Sequence, residues 1–167
     1  MLRSSRHSRR VRIALRAARH LTVGLWLALL LGLARPDAAC AAPMVQTVRD
    51  DPGGAIADRV TMIRDLRARG ARVRIVGGCW SACTMFLALP GTCVARAARL
   101  GFHGPGSPRP GLALRPDAFE RWSRIVADHY PEPLRGWYLR EARHILVGFA
   151  ELRGTELIRL GIPECRD

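Results

Sequence analysis

Ser81 and His103 are the side chains of this sequence best placed to do chemistry. Ser81 stands in Gly77-Gly78-Cys79-Trp80-Ser81-Ala82-Cys83, and His103 in Gly101-Phe102-His103-Gly104-Pro105. A β-rich run, Arg72 to Val76, feeds the glycine pair. An apolar run, Ala82 to Leu89, follows as if a helix starts at the serine. A serine on a strand-to-helix turn sits at the positive end of a helix, beside N–H groups that are free to bind an anion. A histidine titrates near neutral pH and can take the hydroxyl proton. Nucleophile, base and N–H donors are the parts of acyl transfer. Plainer readings stand beside these. Serine is a favoured helix N-cap, and a histidine at a loop edge can be satisfied by a backbone carbonyl.

Other residues bear on the same region. Asp51-Pro52-Gly53-Gly54 ends an earlier strand. Its glycines either offer N–H groups to an anion or make a turn that needs positive φ, and both can hold at once. Trp80, beside Ser81, could line a pocket, whereas Trp122 and Trp137 read as packing residues. His129 and His144 read as helix-surface or helix-end residues.

These residues must be held by regular elements. Val45 to Arg49 and Val73 to Val76 are strand candidates. Between them, Ile56, Val60, Ile63 and Leu66 recur at helical spacing, which predicts a helix over Ala55–Arg69 ended by Gly70. Ala82–Leu89 predicts a short buried helix, stopped by Pro90-Gly91. Thr92–Ala95 and Leu100–His103 are further strands. Gly104 to Pro116, rich in Gly and Pro, is a loop. Asp117 caps a helix that runs to about Asp128, Leu134–His144 is another helix, Leu146–Phe149 a short strand, and Thr155–Leu160 a last helical turn. Strand, helix, strand, helix in the first half argues for an α/β fold.

The N-terminus has a different character. Residues 1–20 are rich in arginine and histidine and carry no acid, Leu21 to Ala34 is almost purely apolar, and Ala39-Cys40-Ala41 is a small-x-small site. That order is a secretory signal peptide over residues 1–41, cut before Ala42. The apolar run falls short of the roughly 20 residues that span a bilayer. An uncleaved anchor through residues 21–34 is the alternative, and would be the chain's one attachment to a membrane. All 27 basic residues are arginine. Eight of them lie in residues 1–41, and residues 42–167 hold 19 against 13 acids. Arginine spread this evenly, without interleaved aromatics, is a solvated surface rather than a nucleic-acid patch.

Past residue 41, four cysteines remain: Cys79, Cys83, Cys93 and Cys165. In an exported chain they read as two disulfides. A four-Cys zinc site is the rival, but its C-x2-C knuckles are missing. The pairing expected is Cys83–Cys93, closing the short helix and its return loop, with Cys79–Cys165 tying the C-terminus to the turn.

From about Val45 to Pro105 the chain resembles the ClpP/crotonase superfamily. More closely, it is similar to small exported bacterial proteins with a Clp-protease-like core and a C-x-S-A-C-T signature, here Cys79 to Thr84. The resemblance extends more loosely to Leu152–Pro163. It implies a single ClpP/crotonase-like α/β domain over residues 42–167, built of ββα units with a small sheet flanked by helices. It also implies Ser81 as nucleophile, His103 as base in a strand ending His-x-Pro, and an oxyanion hole made by the Gly54 and Ala82 N–H groups. The third member of the triad, an acid, should fall near Leu146–Ala150, where none stands. Glu151 is the nearest carboxylate, and Asp128 and Glu141 are more distant. A Ser–Lys dyad, as in signal peptide peptidase A enzymes, is excluded because there is no lysine. The resemblance implies a periplasmic, peptidase-like serine hydrolase acting on a peptide or protein, without cofactor or metal. The alternative is an inactive, disulfide-stabilised envelope protein of the same fold that binds a peptide or protein partner.

Overall fold

A computed structural model describes residues 44–107, 109 and 111–166. The segment read as signal peptide or anchor lies outside the described residues. Among the described residues, no helix is long and apolar enough to cross a membrane.

Strand β1 (Val45–Asp51) runs parallel to β2 (Arg72–Trp80), with helix α1 (Ile56–Ala68) between them in the chain. Ile63 and Leu66 of α1 are buried in the core, with Ile56 and Val60 packed beside them. Gly70 ends this stretch with φ 61, the left-handed conformation that terminates helices. Val73, Ile75 and Cys79 of β2 are fully buried at alternate positions, as strand geometry requires.

Strand β2 is central. Its first half pairs in parallel with β3 (Cys93–Val94), and its end pairs in parallel with β4 (Arg99–Phe102). Strand β5 (Ala150–Arg153) closes on β4 antiparallel. The result is a mixed α/β architecture, with a five-stranded mixed sheet in the order β1-β2-β4-β5 and β3 beside β2. A 3-10 helix (Ser81–Ala88) follows β2, and α2 (Pro116–Ala127), α3 (Leu134–Arg140) and α4 (Gly154–Arg159) complete the α-helices described.

Several expectations need correction. The strand expected at Leu146–Phe149 begins only at Ala150, because Gly148 has φ 77 and breaks the extended run. The helix expected to reach His144 stops at Arg140 and resumes as a 3-10 turn, Ala142–His144. Pro116 rather than Asp117 opens α2, and Asp117 lies in its first turn, 3.2 Å from Arg115.

The cysteines form two disulfides, as expected, but with other partners: Cys79–Cys83 and Cys93–Cys165. Four residues of extended chain would span about 13 Å. The sharp turn at Ser81 brings the Cys79 and Cys83 Cα atoms to 5.3 Å instead. The C-terminal segment lies along β3, where the Cys165 N–H donates to the Val94 carbonyl at 3.0 Å, and so Cys165 meets Cys93. Two disulfides fit a chain that matures in an oxidising compartment.

Candidate active site

Three parallel strands end at one edge of the sheet, β1 at Asp51, β2 at Trp80 and β4 at Phe102. The ladder pairs Asp51 with Cys79, and Trp80 with Gly101. Continued by two residues, that register sets Gly53 opposite Ser81 and Ala82 opposite His103. The carboxyl ends of parallel strands are where α/β folds gather ligands. Here the strand ends deliver the four residues expected from the sequence, Gly54, Ser81, Ala82 and His103, to the wall of one cavity. His103 Nε2 lies 2.7 Å from Ser81 Oγ, within hydrogen-bond distance.

Ser81 has φ 55, the one non-glycine residue with positive φ among those described. That conformation is uncommon for a side-chain-bearing residue and costs on the order of 1–3 kcal/mol. The surroundings hold it there. The Cys79–Cys83 disulfide brackets it, and the Thr84 hydroxyl donates to the Ser81 carbonyl at 2.7 Å. Gly53, at φ 103, packs against the turn so closely that a Cβ there would stand 2.6 Å from Ser81 Cβ.

The two expected oxyanion donors are unengaged. The Gly53 N–H is committed to Asp51 Oδ1 at 2.8 Å, whereas the Gly54 N–H has no hydrogen-bond partner among the described residues. Ala82 lies in the first turn of the 3-10 helix, where N–H groups have no partner within the helix.

His103 is half-buried, and burial pushes its pKa below the ordinary imidazole value, opposed by a backbone hydrogen bond with Gly104. The Phe149 ring stands edge-on to the imidazole with centroids 5.2 Å apart, and Trp80 packs on Phe149 at 5.4 Å. The Tyr138 hydroxyl donates to the His103 carbonyl at 3.3 Å. Gly104 admits the Arg143 carbonyl where any Cβ would clash.

Glu151 does not line the cavity. Both of its oxygens accept from Arg99, at 2.6 and 2.9 Å, and that pairing holds its pKa below the usual carboxylate range. Asp128 accepts from Arg135 at 2.9 Å, and Glu141 from Trp137 Nε1 at 3.1 Å. Among the described residues, no carboxylate lines the cavity.

The cavity measures about 510 Å³. Trp122, Val126 and Tyr130, each four residues from the next, line it together with Ile56 and the loop residue Leu114. The expectations for Trp80 and Trp122 are therefore reversed, while Trp137 packs against Phe102 as expected. Trp122 lines the cavity, while Trp80 lies against Gly101 and Phe149. The sequence reading also missed Arg59 and Thr84, which hydrogen-bond the carbonyls of the two turns, and Tyr130, which meets Thr84 and lines the cavity. Among the described residues, no three His, Cys, Asp or Glu side chains are grouped to hold a metal ion.

No protein-family model matches the chain, and no curated protein matches it.

Proposed function

We propose that the chain is an exported serine hydrolase with a Clp-protease-like core, working in the periplasm on a peptide or ester whose acyl side is apolar and uncharged. The observation that carries this reading is the 2.7 Å approach of His103 Nε2 to Ser81 Oγ in the wall of a cavity. His103, kept neutral by burial, takes the hydroxyl proton as Oγ attacks the substrate carbonyl carbon. The oxygen that gains charge is held by the Gly54 and Ala82 N–H groups, and losing one such donor typically costs about 10²–10³ in rate. His103 then gives the proton to the leaving group as its bond to carbon breaks, which leaves an acyl group on Ser81 Oγ. Water, deprotonated by the same imidazole, releases the acid and restores the hydroxyl. Among the described residues no carboxylate bonds the imidazole, and a backbone hydrogen bond with Gly104 opposes the effect of burial on its pKa. The cavity wall of Ile56, Leu114, Trp122 and Val126 favours an apolar acyl group.

The second reading is a binder of the same fold that has lost catalysis. It rests on the absence of a third-member carboxylate among the described residues. Fluorophosphonate labelling of the oxidised protein separates the two. The hydrolase reading expects an adduct on Ser81 that Ser81→Ala abolishes. A folded protein with both disulfides intact and no adduct would leave the binder.

A further inference from the structure

Each of the two oxyanion donors is the N–H end of a peptide unit whose carbonyl end is gripped by a buried side chain. The Gly53 carbonyl accepts from Arg59 Nη2 at 3.0 Å, and that peptide continues as the Gly54 N–H. The Ser81 carbonyl accepts from Thr84 Oγ1 at 2.7 Å, and that peptide continues as the Ala82 N–H. A trans peptide is planar, and its C=O and N–H point in opposite directions. Holding the oxygen therefore aims the N–H away from the grip. Gly54 and Ala82 both line the cavity.

Each grip is itself anchored. Arg59 has only 7% of its side chain exposed, its Nη2 lies 2.8 Å from Asp51 Oδ2, and its guanidinium lies 4.4 Å over the Phe86 ring. Asp51 also accepts the Gly53 N–H at 2.8 Å, so one carboxylate and one guanidinium hold both ends of residue 53. On the other side, the Thr84 proton goes to the Ser81 carbonyl. A hydroxyl has one proton, so the 2.6 Å contact between Thr84 Oγ1 and the Tyr130 hydroxyl is a bond that Tyr130 donates. Burial raises the Tyr130 pKa, which keeps that proton in place. Hydrogen bonds in a chain polarise one another, so a gripped carbonyl makes its peptide N–H a better donor.

We infer that Arg59 and the Tyr130–Thr84 pair are the positioning residues of the oxyanion hole, one aiming the Gly54 N–H and the other the Ala82 N–H. The inference rests on the hydrolase reading for its chemistry, but the aiming is a structural claim that can be measured alone. Thr84→Val and Tyr130→Phe remove one hydroxyl each at nearly constant shape. Arg59→Lys keeps the charge and loses the fork.

The test is residual dipolar coupling of backbone N–H groups in the oxidised, isotopically labelled protein, together with fluorophosphonate labelling rates. In Thr84→Val the Ala82 coupling is expected to change while that of Gly54 does not, and in Arg59→Lys the reverse. Labelling is expected to fall on the order of 10–10²-fold in each, with the His103 titration unmoved. Thr84→Ser is expected to restore both coupling and rate. Unchanged couplings at Gly54 and Ala82 in folded variants would overturn the inference, whatever the labelling rates. If the couplings respond but the wild-type protein takes no label, the aiming stands and the hydrolase reading falls.

Discussion

The Phe149 ring meets the His103 imidazole edge to face, with centroids 5.2 Å apart. The β4–β5 ladder pairs Phe102 with Ala150, and continued by one residue it sets His103 opposite Phe149. This is the stretch from which a catalytic acid was expected. An aromatic ring there fixes the imidazole by packing instead of by charge. It also removes water from the ring and so favours the neutral form.

A carboxylate at that position should reverse the electrostatics. Phe149→Asp is expected to raise the His103 pKa by on the order of one unit, since a nearby negative charge favours imidazolium. Phe149→Ala is expected to loosen the ring and slow Ser81 labelling on the order of tenfold. An NMR titration of His103 checks the first. A pKa that stays put in Phe149→Asp would mean that position 149 does not reach the imidazole.

The burial of His103 sets a pH dependence with a definite sign. Burial disfavours imidazolium, so the folded protein releases this proton at lower pH than the unfolded chain does. On the proposed hydrolase reading, the neutral ring is the form that accepts the Ser81 proton. The acid limb of labelling against pH is therefore expected below about 6.5. Stability follows the same sign: the unfolded chain binds more protons between the two values, so stability falls as pH drops through the folded pKa. A labelling limb above the ordinary imidazole value would contradict this account of His103.

Much of the site is legible in the sequence because its parts are punctuation. Gly53, Gly54 and Ser81 sit where strands must turn, and Ser81 and His103 are residue types with few roles at such places. The supports are hidden for physical reasons. Arg59 lies on a helix in a chain whose 27 basic residues are all arginine, and nothing local separates a buried guanidinium from a solvated one. Thr84 and Tyr130 are 46 residues apart and meet only when the segment that follows α2 comes against the 3-10 helix. The cysteine pairing failed similarly. Strand β3 lies beside β2, and no spacing in the chain reveals that the C-terminus runs along it. The strand misplaced at Leu146–Phe149 shows an apolar run outvoting a glycine. Leu146, Val147 and Phe149 are all exposed.

The two disulfides should separate stability from reactivity. Cys93–Cys165 closes a long loop, with a sequence separation of 72, and lies at β3 rather than at Ser81. A loop of that length corresponds to about 4 kcal/mol of stabilisation. Cys93→Ala with Cys165→Ala is expected to lower the denaturation midpoint strongly while the folded fraction still labels at the wild-type rate. Cys79–Cys83 closes a short loop around Ser81, worth about 2 kcal/mol on the same scale. Cys79→Ala with Cys83→Ala is expected to cost less stability and to slow labelling at least about tenfold, because the strained turn can relax. Equal labelling rates in the two folded double variants would show that the bracket does not hold the nucleophile.

The cavity wall makes a prediction about the acyl group. Trp122 and Val126 bring apolar surface to a cavity of about 510 Å³ that no carboxylate and no arginine lines among the described residues. Each methylene buried there should gain at most about 0.8 kcal/mol, or roughly fourfold in kcat/KM. Across a series of nitrophenyl esters the rate is therefore expected to climb with acyl chain length until the cavity is filled, and then to level. An acyl group ending in a carboxylate or an ammonium should react far more slowly than its apolar isostere, since nothing in the wall compensates the lost hydration. Trp122→Ala is expected to shift the optimum to a longer chain, because the side chain removed enlarges the cavity. Val126→Asp should depress the long-chain esters most and the acetyl ester least. A flat chain-length profile in the wild type, with Ser81 labelling normally, would place the acyl group outside this cavity and leave the wall to some other part of the substrate.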